Sequence, residues 1–431
     1  MLTFIYGAAI AWLSASYLQL QSKNSRLLTG PLSKSELGWI SAALAPGAFC
    51  GSICLTWLAD KLGRKRCLQF LALPMLLSWL LIATARYPVQ LCVSRFLAGC
   101  SGGTVFSVIP VYVTEIAENR LRSTLGTFLG LSCGLGVLII YVLNYFFDYV
   151  HVAWFMCGLP VLFVCCFQRN PETAQYLVKA DKAAAERSLC FYRGNCATDK
   201  ELTQLCEPLQ KVEIVYAAAK APAKSKTRKA FFIGLGLVLT LELSGCIVMM
   251  SFAAIIFNKA GSHLPAMISA IIVSSIYLIG CYVAALFVER AGRKTMLLCS
   301  ICGICVGEIM MASYYQLTAM GYDTHAFNWL PVAGFSLMAF TCACGATSVT
   351  YVILAEIMPP KLRVTLVRLE MSILFILASI IAFSFTYLSA YLGMGGLIFT
   401  FAAFSFIGAV FVLIFVPETK GKSIEDIQES L

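Results

Sequence analysis

The sequence predicts an all-α polytopic membrane protein with twelve transmembrane helices in two six-helix bundles. The first observation behind this is composition. Of 431 residues, 59% are hydrophobic and only 13% are charged, against about 25% charged in an ordinary soluble domain. The mean hydropathy is +0.82, and the apolar residues gather in runs of about 20, the length that crosses a hydrocarbon core as a helix. The second observation is a duplication. LADKLGRKR (58–66) returns as VERAGRK (288–294), VYVTEIAENRLR (111–122) as TYVILAEIMPPKLR (350–363), and NPET (170–173) as VPETKG (416–421). The offsets agree closely: 229 residues from Asp60 to Glu289, 241 from Glu115 to Glu356, and 246 from Glu172 to Glu418. A charge pattern repeated at a near-constant offset marks a duplicated unit.

Taken in order, the spans are read at 2–20, 37–59, 67–85, 90–114, 122–145, 151–167, 230–257, 266–288, 295–316, 329–355, 365–389 and 394–416. They define an N-terminal bundle over 1–167, a polar linker over 168–229 ending in KAPAKSKTRK, a C-terminal bundle over 230–416 and a tail over 417–431. With both termini and the linker on one side, five of the 32 Lys and Arg lie in the opposite loops (Lys23, Arg26, Lys34, Arg86, Lys259), and Arg95 lies within a span. All the others lie on the linker side, so the positive-inside rule makes that side cytosolic. Met1 opens the first span, so no cleavable leader is expected.

This layout accounts for the net charge of +10 without a nucleic-acid partner. Of the 19 cysteines, only Cys190, Cys196 and Cys206 fall outside the spans, on the reducing side. Cys299, Cys302 and Cys305 have ligand-like spacing but no nearby histidine, and read as packing. Phosphate-binding loops, nucleophile elbows and metal-ligand clusters are absent from the sequence. Neither an enzyme nor a metal nor a cofactor is expected.

The repeated motifs place Asp60, Arg64, Glu289 and Arg293 in tight turns around Gly63 and Gly292. Glu115 and Arg122, and their counterparts Glu356 and Arg363, flank the next inter-span junction. Glu172 and Glu418 follow a proline that ends the sixth and twelfth spans. Two readings fit. These acids and bases form an ion-pair lattice that gates one face and changes between conformations, or they anchor helix ends among lipid headgroups.

At these residues the chain resembles the major facilitator superfamily and, within it, the sugar-porter branch. The D-x-x-G-R-[RK] turn is general to the superfamily. The P-x-Y-x-x-E-I-A…R segment is narrower and stands as Pro110, Tyr112, Glu115, Ile116, Ala117 and Arg122. The P-E-T-K-G-[KR]-S-x-E tail stands as Pro417 to Gly421, Lys422, Ser423 and Glu425, and LELSGCIVMMSFAAIIFNKAG is similar to the branch's seventh-span motif. The details most resemble insect trehalose- and glucose-transporter relatives. The resemblance implies two bundles rocking around a central cavity, short intracellular helices within 168–229, and facilitative transport of a sugar such as trehalose or a hexose. The expected partners are a small polar solute and the lipid bilayer, at the plasma membrane, with the monomer as the working unit.

The family's sugar-binding positions have mostly changed here. The fifth-span glutamine is Gly130, the paired glutamines of the seventh span are Leu241 and Glu242, and that motif's asparagine is Ile247. The eighth-span asparagine falls on Tyr277, the tenth-span tryptophan on Tyr351 and the eleventh-span asparagine on Leu374. Candidate substrate contacts are therefore Glu242, Ser244, Tyr277, Tyr351, Thr347, Gly130 and Arg95. In proton-coupled sugar porters the arginine matching Arg95 pairs with a first-span acid; the matching residue here is Gly7, which favours facilitated diffusion. An intramembrane acid is a functional candidate by default, so Glu242 keeps open a cationic solute or proton coupling. The loss of sugar ligands keeps open a non-transporting sensor. Glu308 and Glu370 read as helix-contact acids, and Gly126, Gly130 and Gly134 as a packing stripe or a widening of the cavity. The tenth span lacks the family's prolines, so a less kinked helix is expected there.

Overall fold

The computed structural model describes residues 1–22, 26–117, 122–178, 181–193, 224–260, 264–287, 291–359 and 363–420, and among these it is helical without strands. Inside a bilayer every backbone polar group must be satisfied within the chain, and apolar runs meet that demand as helices. The expected spans appear as α1 (Leu2–Leu20), α2 (Lys34–Leu62), α3 (Arg64–Ala83), α4 (Pro88–Ile116), α5 (Arg122–Phe146) and α6 (Tyr149–Phe167). After a single turn, Ala174–Leu177, and a short helix, Lys182–Arg193, the second half follows. It comprises α7 (Lys224–Leu243, Cys246–Ser251 and Ala253–Ala260), α8 (Ala266–Phe287), α9 (Arg293–Ala319), α10 (Leu330–Thr341 and Thr347–Ile357), α11 (Arg363–Tyr391) and α12 (Gly393–Phe415).

Eleven of these stretches are long and apolar enough to cross a membrane. The twelfth expected span, α1, is not one of them. It carries Ser14, Ser16 and Gln19, and most of its length is buried against other helices. A helix ringed by protein needs no continuous lipid-facing apolar surface.

The duplication is visible in the packing. The neighbour pairs α1–α5, α2–α4, α3–α4 and α3–α6 recur as α7–α11, α8–α10, α9–α10 and α9–α12. Small residues let the backbones close. A Cβ on Gly47 or Gly51 of α2 would lie 2.1 and 2.0 Å from the Phe96 and Cys100 carbonyls of α4. Gly307 of α9 packs in the same way on the Gly334 carbonyl of α10. On α5, Gly136, outside the expected stripe, is pressed on α1, where an added Cβ would meet the Phe4 carbonyl at 2.0 Å, whereas a Cβ added at Gly130 would meet nothing within 4 Å, in line with the reading of a widened cavity.

Contacts between the halves run through α2–α11, α5–α8 and α1–α7. They concentrate at the end remote from the charged motifs. There the Ala254 N–H donates to Ser14 Oγ (3.0 Å), Ser379 Oγ donates to the Ala42 carbonyl (3.3 Å), and Tyr141 OH to the Met250 carbonyl (3.4 Å). Trp39 of α2 packs on Phe383 of α11 with ring centroids 4.8 Å apart, and Phe252 stacks on Phe385 at 4.4 Å. Along α5 the sequence of contacts is graded. Tyr141 is buried against α7, Gly134 faces the Tyr277 ring of α8 (3.3 Å from an added Cβ), and Gly130, one turn nearer the charged motifs, meets open space. Among the described residues the halves are sealed at the far face and part toward the charged face.

Candidate functional site

The charged face holds two copies of one device. In the first half, Gly63 has φ +97°, a conformation that favours glycine, and it turns α2 into α3. Arg64, the first residue of α3, reaches Glu115 Oε1 through Nε and Nη2 (both 3.1 Å) and Asp60 Oδ1 through Nη1 (3.5 Å). Its guanidinium lies 5.6 Å from the centre of the Tyr176 ring. Glu172 sits over the start of α3, where both carboxylate oxygens accept from the Lys65 N–H at 3.0 Å. Lys65 Nζ donates to the Gln168 carbonyl at 2.8 Å.

The second half repeats this nearly bond for bond. Gly292 has φ +86°. Arg293 Nη2 lies 3.6 Å from Glu356 Oε1. Glu418 caps α9, accepting from the N–H groups of Arg293 (2.9 Å) and Lys294 (3.2 Å), and Lys294 Nζ donates to the Leu413 carbonyl at 2.8 Å. Helix N-termini favour anions because their first N–H groups have no partner within the helix. Burial pushes the Glu418 carboxyl up, but the backbone N–H groups of Lys420, Arg293, Lys294 and Thr419 outweigh it and hold the pKa below the ordinary 4.5.

These contacts sharpen the expectation of a uniform acid–base lattice. Arg64–Glu115 and Arg293–Glu356 are ion pairs. Glu172 and Glu418 instead cap helices through backbone donors, since proline ends the preceding span just where a carboxylate can reach the next helix start. Every ion pair among the described residues stays within one half. Glu289 lies outside the described residues, as do the side chains of Arg122 and Arg363, which open α5 and α11.

The central wall differs between the halves. α1 is one continuous helix, while α7 breaks at Ser244–Gly245, where Gly245 has φ +70°. α10 is also interrupted: residues Cys342–Ala346 form a π-helical turn, correcting the expectation of a less kinked helix. Proline is not needed because hydroxyls and an extra backbone donor manage the irregular groups. Ser300 Oγ of α9 donates to the Thr341 carbonyl and accepts from the Ala346 N–H, while Thr347 and Ser348 donate to the carbonyls of Cys342 and Ala343. Such turns recur at functional sites.

Several of the predicted contacts gather at this irregular wall. Tyr351 is 40% exposed although it lies on an inner helix, within electrostatic reach of Glu242 and of Tyr6 from the other half. A side chain so placed faces the open space between the halves. Glu242 is buried, and its Oε1 has no hydrogen-bond partner. Tyr277 lies near Thr347 and beside Gly134. Gly130 borders the open space one turn away. Two candidates stand apart. Ser244 lines a narrow pocket with Thr240, Leu241, Ile304 and Thr350, with room for about one water molecule. Arg95 is buried between α4 and α1 and donates to the Ala9 carbonyl, so a backbone oxygen stands where an acid partner was sought. Glu308 accepts from Ser405 of α12 (2.8 Å), and Glu370 of α11 packs on Gly234 of α7, both at helix contacts as expected. Sequence reading missed Tyr6, whose only signal was an aromatic in a small-residue stretch, FIYGAAIAW.

The sequence profile of the family "Sugar (and other) transporter" matches residues 3–431. The chain belongs to this family. As a member of this family it is a multi-pass membrane transporter and not an enzyme, with the fold of the solved major facilitator structures. The chain is 29% identical to the facilitated trehalose transporter Tret1 of Bombyx mori, over 94% of this chain and 81% of that one. It is 27% identical to the facilitated trehalose transporter Tret1 of Culex quinquefasciatus, over 100% of this chain and 83% of that one. Among solved structures it matches the inward open xylose transporter XylE from E. coli with a TM-score of 0.81 at 20% identity, covering 100% of this chain and 97% of that one. The proton:xylose symporter XylE bound to 6-bromo-6-deoxy-D-glucose matches with a TM-score of 0.77 at 20% identity, over 100% and 96%.

Proposed function

We propose that the protein is a facilitative transporter that carries a sugar such as trehalose, or a hexose, down its gradient by alternating access. In this reading it works as a monomer in the plasma membrane, with its termini, charged motifs and linker on the cytosolic side. The observation that carries the reading is the graded contact between the halves: sealed at the far face, open at the charged face, with Tyr351 exposed in the space between. Tyr351, Tyr277 and Thr347 offer hydroxyls and ring faces suited to a sugar, and Gly130 leaves room for a larger ring system. Asp60, Arg64, Glu115, Glu172, Arg293, Glu356 and Glu418 form the gate, joined by Arg122, Glu289 and Arg363. Uniport is supported by the absence of an acid in α1 and by the backbone partner of Arg95.

A second reading is favoured by Glu242, whose buried oxygen lacks a partner. A carboxylate beside the cavity suits an organic cation or a coupled proton. Uptake into proteoliposomes separates the two. Saturable uptake of trehalose or glucose, unchanged by a pH gradient, supports the first. Gradient-driven flux of a cation or sugar, lost in Glu242→Gln, supports the second. Absence of any flux, with sugar-induced thermal stabilisation intact, would replace both with a sensor.

A further inference from the structure

The two irregular segments of the second half meet at a pair of thiols. Cys246 is the first residue after the break of α7, and Cys342 opens the π-turn of α10. Their sulfur atoms lie 3.1 Å apart, and both residues are buried, 0% and 1% exposed. Ninety-six positions separate them in the chain, so the tertiary fold alone brings them together. Neither sits in a regular helix interior. Gly245 turns the chain immediately before Cys246, and the widened turn of α10 starts at Cys342. Two sulfurs at this separation need to move only about 1 Å to reach bonding distance, and irregular backbone on both sides supplies that freedom. The other described cysteines are free as well, but this pair has direct sulfur–sulfur contact.

We propose that Cys246 and Cys342 are a redox-sensitive latch. A peroxide, a small neutral oxidant able to enter the bilayer, takes two electrons from the pair. The two S–H bonds break, one Sγ–Sγ bond forms, the O–O bond of hydrogen peroxide is cleaved, and the two protons leave with its oxygens as two water molecules. A dithiol reductant reverses the step by exchange. The disulfide ties the break of α7 to the π-turn of α10 beside Glu242 and Tyr351. On the alternating-access reading above, that tether holds the second half in its present arrangement and stops the cycle.

The test begins with the purified full chain in detergent, treated with hydrogen peroxide, alkylated, digested and analysed by mass spectrometry. The expected product is a Cys246–Cys342 linked peptide lacking two hydrogens and absent after dithiothreitol. In proteoliposomes, oxidation then lowers the initial uptake rate several-fold, dithiothreitol restores it, and Cys246→Ala and Cys342→Ala each keep their rate. Recovery of the two peptides separately alkylated from oxidised protein overturns the latch. So does a linked peptide without loss of rate, or an equal loss in the variants. A protein without flux before oxidation contradicts the transport reading alone, because the peptide result still decides the thiol pair.

Discussion

The charged face and the central wall have diverged to different degrees since the duplication. At the charged face the two halves use the same bonds: a glycine turn, an arginine on a carboxylate, a second carboxylate over a helix start and a lysine on a carbonyl. At the wall, α1 is continuous while its counterpart α7 breaks, and α10 has a π-turn. Buried ionisable groups are also unequal: Arg95 in one half, Glu242, Glu308 and Glu370 in the other. A bond network that closes a helix end tolerates few alternatives, so both copies stay alike. A wall that meets solute is free to differ. The proposed division is that the charged face sets turnover and the wall sets affinity.

The largest expected effect tests the equivalence of the two copies. Arg64→Ala and Arg293→Ala should each lower the maximal transport rate about tenfold with KM nearly unchanged, measured by initial uptake at varied sugar concentration. A large loss in one variant and none in the other would break the equivalence. Next, Tyr351→Phe should raise KM about threefold to tenfold, the loss of one hydroxyl contact of about 1 kcal/mol, while leaving the maximal rate within about twofold. A change confined to the rate would move Tyr351 from the wall to the gate.

A smaller effect concerns the helix caps. Glu418→Gln should cost about 1 kcal/mol of stability at neutral pH, read as a lowered melting temperature in detergent. The folded carboxyl titrates below its ordinary value, so its contribution is complete above the unfolded pKa and fades as pH falls through the lowered one. Wild type and variant should therefore converge in acid, and a difference that persists there would assign the cap a packing role. The smallest effect is Gly130→Ala. With nothing within 4 Å, the added methyl should be tolerated, raising stability by up to about 1 kcal/mol through helix propensity. A clear loss of stability would mean that the halves close over this position.

Much of this was legible in the sequence, for identifiable reasons. Span number, the duplicated unit and the turns at Gly63 and Gly292 follow from run length and charge spacing. The roles of Glu172 and Glu418 were not legible, because a carboxylate near arginines reads as an ion pair until the backbone shows the helix start beneath it. The π-turn of α10 was hidden for a related reason: Ser300, which stabilises it, lies 42 positions before Cys342. Tyr6 and the Cys246–Cys342 contact likewise depend on tertiary neighbours that no local pattern records.

Central to this account is that the duplicated charges move the protein between states without holding the solute. The direct measurement is the Kd for trehalose, by calorimetry on the purified protein, alongside uptake by the same preparation of the Arg64→Ala/Arg293→Ala double variant. The account predicts a Kd within about twofold of wild type and transport reduced to background. Equal losses of binding and transport would contradict it and place the charged clusters in the binding site.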